Sequence, residues 1–278
     1  MDQRLTELLR LLELERLEVN VFRGESRDVG SPQVYGGQVL GQALQAAYAT
    51  VEPHRVVHSL HAYFLRRGDF NAPIVYFVDR SRDGHSFTSR RVTAIQHGEQ
   101  IFHLSASFQK PEAGFEHQLE MPRVPPPEEL PTSIALGPRA YDRPIEFRAV
   151  PAEDNAAVRQ YLWMRAVDQL PEGDQLHRSL LAYASDFRLL GTALKSHEQA
   201  LASHHLTIAS IDHAMWFHRP FRLDEWLLYA MDSPSASGAR GFARGSLFTR
   251  SGSLVASTAQ EGLIRVQESP TPAPSPGS

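Results

Sequence analysis

Apolar and polar positions change their period several times along this chain, and each change marks an element. Residues 1–19, MDQRLTELLRLLELERLEV, alternate charge with leucine at helical spacing, which predicts an amphipathic surface helix. After Tyr35-Gly36-Gly37-Gln38, the residues Val39, Leu40, Ala43, Leu44, Ala47, Tyr48 and Val51 recur with the same period and predict a helix over 37–51. Its small residues, Gly41, Ala43, Ala46 and Ala47, suit a helix gripped closely by a sheet. Four strand-like runs follow, VVHSLHAYFLR, PIVYFVDR, HSFTSRRVTAI and QIFHLSASFQ, with turns at Arg82-Asp83-Gly84 and His97-Gly98. Prolines at 111, 122, 125, 126, 127, 131, 138 and 144 then mark a surface linker, set at 113–145.

Beyond the linker the first order returns. A helix is predicted around 175–190 with Asp174 as N-cap, then strands LTIASIDHAMWFHRP, EWLLYAMD, ARGFARGSLFTR and SLVASTAQEGLIRV. His61-Ala62 matches His213-Ala214, Tyr76 and Asp79 match Tyr229 and Asp232, Gly98 matches Gly252 and Gln109 matches Gln260, all roughly 150 residues apart. The chain therefore reads as an α+β unit repeated in tandem, with units over 1–112 and 146–266 and a Pro/Ser-rich tail, 267–278, expected to be disordered.

Within this plan the second helix stands apart. Leu176, Leu180, Leu181, Tyr183, Ala184 and Phe187 cover most of its circumference, so it should be wrapped on nearly every side. Asp186 lies in that apolar setting, where a carboxylate is costly without partners, which marks it as a functional suspect. The first helix holds no acidic residue, so acid–base chemistry is expected from the second unit alone. Alternation puts Leu206, Ile208 and Ser210 on one strand face, and Leu254, Ala256, Thr258 and Gln260 on another, both toward the core helix. An Asp, a hydroxyl and an amide can together hold a water, with Asp186 taking its proton as it attacks an electrophile.

Composition narrows the classes. A chain of 278 residues, 42% hydrophobic and 22% charged, is that of a globular protein of one or two domains. A formal net charge of -4 argues against nucleic-acid binding. With no cysteine, thiolate nucleophiles, disulfides and Cys-based metal sites are excluded. No run is apolar and long enough for a membrane span or signal peptide, and the expected location is the cytoplasm.

The stretches VYGGQVLGQAL, VHSLHAYFLRRGD, RDGHSF, QKPEAGFEHQ, LLAYASDF, IDHAMWFHRPF, EWLLY, SASGARGF and VASTAQEGLIR resemble the acyl-CoA thioesterase II family over about residues 5–266. The resemblance implies a double hotdog fold, each unit a long helix wrapped by an antiparallel sheet. It also implies hydrolysis of acyl-CoA to free CoA and a carboxylic acid by a water held between Asp186, Ser210 and Gln260, without cofactor or metal. Bacterial members usually carry Thr where Ser210 stands and peroxisomal members carry Ser, so the hydroxyl is kept. Two other readings of the fold are a non-catalytic acyl-CoA-binding module and a hotdog enoyl-CoA hydratase.

Other residues weigh less. His58 could serve as a base or substrate contact, though a strand histidine is more often structural. Gly36 and Gly37 could offer backbone N–H groups to the thioester oxygen or a CoA phosphate, or could simply form a tight turn. Asp212-His213 looks like a catalytic pair, but adjacent strand residues point to opposite faces, which favours a structural role. His197, Glu198, His204 and His205 lack metal-site spacing, and no GxSxG elbow occurs. Arg80, Arg82, Arg90 and Arg91 could meet nucleotide phosphates. Exposed sheet edges favour a homodimer or homotetramer.

Overall fold

The computed structural model describes residues 1–31, 33–131, 143–151, 158–197 and 205–267, with the backbone alone at His205. Helix α1 (Gln3–Leu12) is capped by Asp2, whose carboxylate accepts from the Arg4 N–H, and it buries Leu5, Leu8, Leu11 and Leu12. It ends sooner than the leucine spacing predicts. Residues Glu15–Glu18 form β1, paired antiparallel with β2 (Val21–Gly24). All four β1 side chains are exposed, so nothing rewards continuing the helix, and the edge ladder takes up the backbone groups instead.

Helix α2 (Gly36–Tyr48) is followed by β3 (Val56–Phe64), β4 (Ile74–Asp83), β5 (Phe87–Gln96) and β6 (Glu99–Gln109). The second half supplies β7 (Ile145–Ala149), β8 (Arg159–Ala166), α3 (Asp174–Ser185), β9 (His205–Ser210), β10 (Asp212–Phe217), β11 (Leu227–Ser237), β12 (Arg240–Thr249) and β13 (Leu254–Gln267). Asp174 is the first helical residue of α3 rather than its N-cap. Gly173, with φ 135°, takes the cap position, and the Asp174 carboxylate accepts from Arg178 Nε at 2.6 Å. The helix stops at Ser185, short of the expected 190, and Leu190–His197 forms 3-10 turns.

The strands join in one antiparallel sheet ordered β1-β2-β4-β5-β6-β3-β10-β13-β12-β11-β8-β7, with β9 added on β13. The second six strands mirror the first, and β3 meets β10 at the centre, with Ala62 opposite His213. The single run expected over 206–220 is two strands: Ile211 leaves the ladder, its C=O accepting from Phe64 and its N–H donating to Glu261.

The register also corrects the repeat alignment. Tyr76 faces Ala94, which faces Phe102; Tyr229 faces Leu247, which faces Ala256. Following each strand from that anchor makes Ala106 the counterpart of Gln260, and Leu60, opposite Ala106, the counterpart of His213. The matches at Tyr76, Asp79 and Gly98 hold; those of His61-Ala62 and Gln109 are displaced along their strands. Strand alternation makes the displacement visible, since His61 points outward while His213 is completely buried.

The sheet curves around a helix pair. α2 lies against β4, β5 and β6 on one side and α3 on the other. Gly37 and Gly41 of α2 face α3 rather than the sheet: a Cβ at Gly41 would sit 3.2 Å from the Ser179 carbonyl, and one at Gly37 would overlap that of Tyr183. Described linker residues adhere to the outer face of the second half. Trp163 Nε1 donates to the Pro125 carbonyl at 3.0 Å, and Leu130 packs with Trp163, Trp226 and Phe248. The tail expected from 267 lies outside the described residues except for Gln267, which ends β13.

Candidate active site

Asp186 is the C-cap of α3, and Arg188, with φ 69°, turns the chain away just beyond it. Its side chain is 7% exposed. Gln260, wholly buried on β13, donates through Nε2 to Asp186 Oδ1 at 2.7 Å and to Ser210 Oγ at 3.1 Å. The three polar residues singled out in the sequence therefore meet at one point, bridged by one amide. Ser210 arrives from the last position of β9, and Asp186 from a helix end.

The first half completes the surroundings. The Gly37 N–H donates to the Asp186 carboxylate, and a Cβ on Gly36 would lie 2.7 Å from Oδ2, so only glycine leaves that approach open. Asp186 thus sits between the negative end of α3 and the positive end of α2. Burial pushes its carboxyl above the usual carboxylate range, opposed by the bonds from Gln260 and Gly37. Asp186 and Ser210 line a cavity of about 400 Å³ together with Gly36, Val39, Phe64 and Phe102. Ile208 stands 46% exposed at its rim, not against the core helix as alternation alone suggested.

Behind the carboxylate lies a polar cluster. Ser185 Oγ bonds the Ala182 carbonyl at 3.0 Å and meets His213 Nε2 at 3.0 Å, and the Tyr229 hydroxyl donates to the Ser185 carbonyl at 3.0 Å. His213 Nδ1 stands 4.0 Å from Asp186 Oδ1. Alternation correctly separates Asp212, which accepts from the Glu261 N–H, from His213, but the inward-facing histidine belongs to the site's surroundings.

The remaining candidates fall elsewhere. His58 meets Ser107 Oγ at 2.8 Å and the edge of Phe87, and does not line the Asp186 cavity. Arg90 is buried near the end of α2, bonded to Thr50 and Asp83, and none of Arg80, Arg82, Arg90 and Arg91 lines the cavity. The arginines at its mouth are Arg66, Arg67 and Arg188. No sequence signal marked them, because the loops carrying them converge only in the fold. His197 ends the 3-10 segment, whereas Glu198, His204 and the side chain of His205 lie outside the described residues.

The first half has the scaffold without the chemistry. Thr50 Oγ1 bonds the Ala47 carbonyl at 2.9 Å as Ser185 bonds Ala182, which aligns AYAT with AYAS and puts Val51 where Asp186 stands. Val57, opposite Phe108, takes the place of Ser210, opposite Gly262, and Ala106 that of Gln260. A carboxylate, a hydroxyl and an amide in one half are three apolar residues in the other.

Comparison with known proteins identifies the family. Residues 139–263 match the family model described as acyl-CoA thioesterase, and residues 24–109 match that of the acyl-CoA thioesterase N-terminal domain. The chain is 42% identical to acyl-CoA thioesterase 2 of Haemophilus influenzae, over 96% of this chain and 100% of that protein. It is 41% identical to human acyl-coenzyme A thioesterase 8, over 92% and 88%. The crystal structure of an acyl-CoA thioesterase II from Mycobacterium marinum superposes with a TM-score of 0.84 at 46% identity, covering 94% of this chain and 98% of that one. A more distant hotdog-fold protein of Alicyclobacillus acidocaldarius, 19% identical over 94% and 99%, shares the fold with a TM-score of 0.79. With two hotdog units on one chain and a sequence matching these enzymes almost end to end, this protein belongs to the acyl-CoA thioesterase II family.

Proposed function

We propose that the chain hydrolyses fatty acyl-CoA through a water held by Asp186, Ser210 and Gln260. The observation that carries this reading is the Gln260 amide bonded at once to Asp186 and Ser210, two side chains that line one cavity. Asp186 takes one proton from the water as its oxygen attacks the thioester carbonyl carbon. The tetrahedral adduct then collapses, the C–S bond breaks, and the proton passes from Asp186 to the departing sulfur, giving a carboxylic acid and the CoA thiol. The positive end of α2, entering at Gly36, favours the oxyanion of the adduct. A raised carboxyl pKa suits a general base, and turnover should fall as pH drops through that value. Release of free thiol from a fatty acyl-CoA separates this reading from a binding module, which would hold the thioester intact.

The role of Ser210 is tested by two substitutions. Ser210→Thr keeps the hydroxyl and should retain most activity. Ser210→Ala should lose about 1–3 kcal/mol of transition-state stabilisation, the scale of one stranded hydrogen-bond partner. Rapid quench with intact-mass detection should find no acyl-enzyme. An acylated Ser210 would replace the water mechanism by a covalent one.

The substrate's phosphates need cations near the mouth. Arg66 is engaged by Glu99 at 2.9 Å and Arg188 has an interaction partner of its own, leaving Arg67 as the exposed arginine best placed to meet them. Arg67→Ala should raise KM for acyl-CoA several-fold at low salt while leaving an acyl-pantetheine substrate, which lacks the nucleotide, unaffected. An equal effect on both substrates would move the phosphate contact elsewhere.

A further inference from the structure

His213 is completely buried, and its Nδ1 has no hydrogen-bond partner. Burial pushes the imidazole pKa down to about 3, so the ring is neutral at physiological pH. Such a group is costly to the fold, and the first half of the molecule does without it, placing Leu60 at the same position of the same ladder. The hydroxyls that close the two helices also differ in their company. In the first half Thr50 Oγ1 receives Arg90 Nε at 2.9 Å; in the second, Ser185 Oγ meets His213 Nε2 at 3.0 Å. The histidine thus occurs only in the half that carries Asp186, and its unpartnered nitrogen stands 4.0 Å from Asp186 Oδ1.

The tautomer follows from that neighbour. A lone pair on Nδ1 would face the carboxylate and repel it, whereas a proton there is attracted, and Nε2 then accepts from the Ser185 hydroxyl, whose single proton turns from the Ala182 carbonyl to the ring. At 4.0 Å the contact is about one ångström longer than a hydrogen bond, a gap that catalytic contacts commonly close once substrate is bound. We propose that His213 is a positioning residue whose Nδ1–H, oriented by Ser185, steadies the ionised carboxylate of Asp186 from the side opposite the cavity. This rests on Asp186 being the base. The other ionisable groups around the pair are Tyr229 on β11, Tyr35 ahead of α2 and Arg188 beyond α3; β13 presents the neutral Gln260. Burial holds both phenols above their ordinary values, and an arginine stays charged, so none of them titrates alongside Asp186.

Three substitutions separate the two ring nitrogens. Asparagine puts an amide N–H near the place of Nδ1 and gives up the Ser185 contact; glutamine reaches Ser185 and gives up Nδ1; leucine copies the first half and gives up both. We expect His213→Asn to keep most of kcat and the wild-type pH profile. His213→Gln and His213→Leu should lower kcat tenfold or more with little change in KM, and should move the acid limb of kcat toward higher pH, because the carboxylate loses a donor. Wild-type kcat and acid limb in folded His213→Gln or His213→Leu would overturn the proposal, as would activity retained by glutamine and lost by asparagine. Asp186→Asn, assayed in parallel, keeps the failures apart: if it is inactive while the His213 variants are normal, only the positioning role falls, and if it is active, the base assignment falls first.

Discussion

Asp186→Asn should hydrolyse acyl-CoA at least about a hundredfold more slowly than wild type, the lower end of what a general base contributes, while melting at the same or a higher temperature at neutral pH. Both halves of that result come from one environment. Burial raises the Asp186 carboxyl above its ordinary value, so the fold favours the protonated form and works against the charge that catalysis needs. A group whose folded-state pKa is raised contributes stability that is fully present below the unfolded value and is lost as pH rises through the folded one. Asparagine is neutral at every pH and its one amide oxygen can still accept from Gln260, so it escapes that loss. Its gain in melting temperature over wild type should be largest at neutral pH, shrink as pH falls through the raised folded-state value, and be gone below about 4, the ordinary carboxylate value. Thermal melts across this range, beside a free-thiol assay, test both statements. A variant that melts well below wild type at neutral pH would mean that the charge is compensated better than its few partners suggest, and wild-type turnover in a folded variant would remove Asp186 as the base.

Asp186 was legible in the sequence because cost is legible: a carboxylate following a helix apolar on most sides has few bland explanations. Gln260 was legible by alternation, since Ala256 and Thr258 face inward with it, although Leu254, beyond a register shift, packs in the outer cluster with Trp163 and Phe248. His213 obeyed the same rule, yet which inward-facing polar group it would approach depends on where α3 ends, and a two-residue error there moves a side chain to another face of the helix. The repeat was readable as a repeat but not in register. His61-Ala62 and His213-Ala214 are identical dipeptides in non-equivalent positions, and only strand pairing distinguishes coincidence from correspondence. Strands β1, β2, β7 and β8 escaped notice: the first three are short and partly exposed, β7 beginning where the proline-rich segment ends, and β8 buries Leu162, Trp163 and Met164 in succession, which hides its alternation. The cavity mouth was illegible for another reason: Arg67 and Arg188 come from opposite halves and no local pattern links them.

The same distinction between local propensity and tertiary approach decides Gly37→Ala. Gly37 lies in the first turn of α2, where alanine is intrinsically favoured over glycine by about 1 kcal/mol, so the sequence alone forecasts a more stable protein. The fold reverses the sign. A Cβ there would overlap the Tyr183 carbonyl of α3 and lie 2.5 Å from the Tyr35 ring, which is itself fixed by its hydroxyl donating to that carbonyl at 2.9 Å. A backbone carbonyl inside a helix cannot rotate aside, so the helix pair must part, and overpacking of this kind costs typically about 1–3 kcal/mol, sometimes more. Set against the propensity gain, the net loss should still lower the melting temperature by several degrees, at roughly 2–4 °C per kcal/mol for a chain of this size class. Gly36→Ala is the control, since its Cβ meets only the Asp186 carboxylate and the Phe64 ring, side chains that can turn. It should melt near wild type and lose turnover, because the carboxylate is what moves. If Gly37→Ala melts at or above wild type, the two helices are not in contact at that turn, and the N–H that Gly37 lends to Asp186 must be supplied by another group.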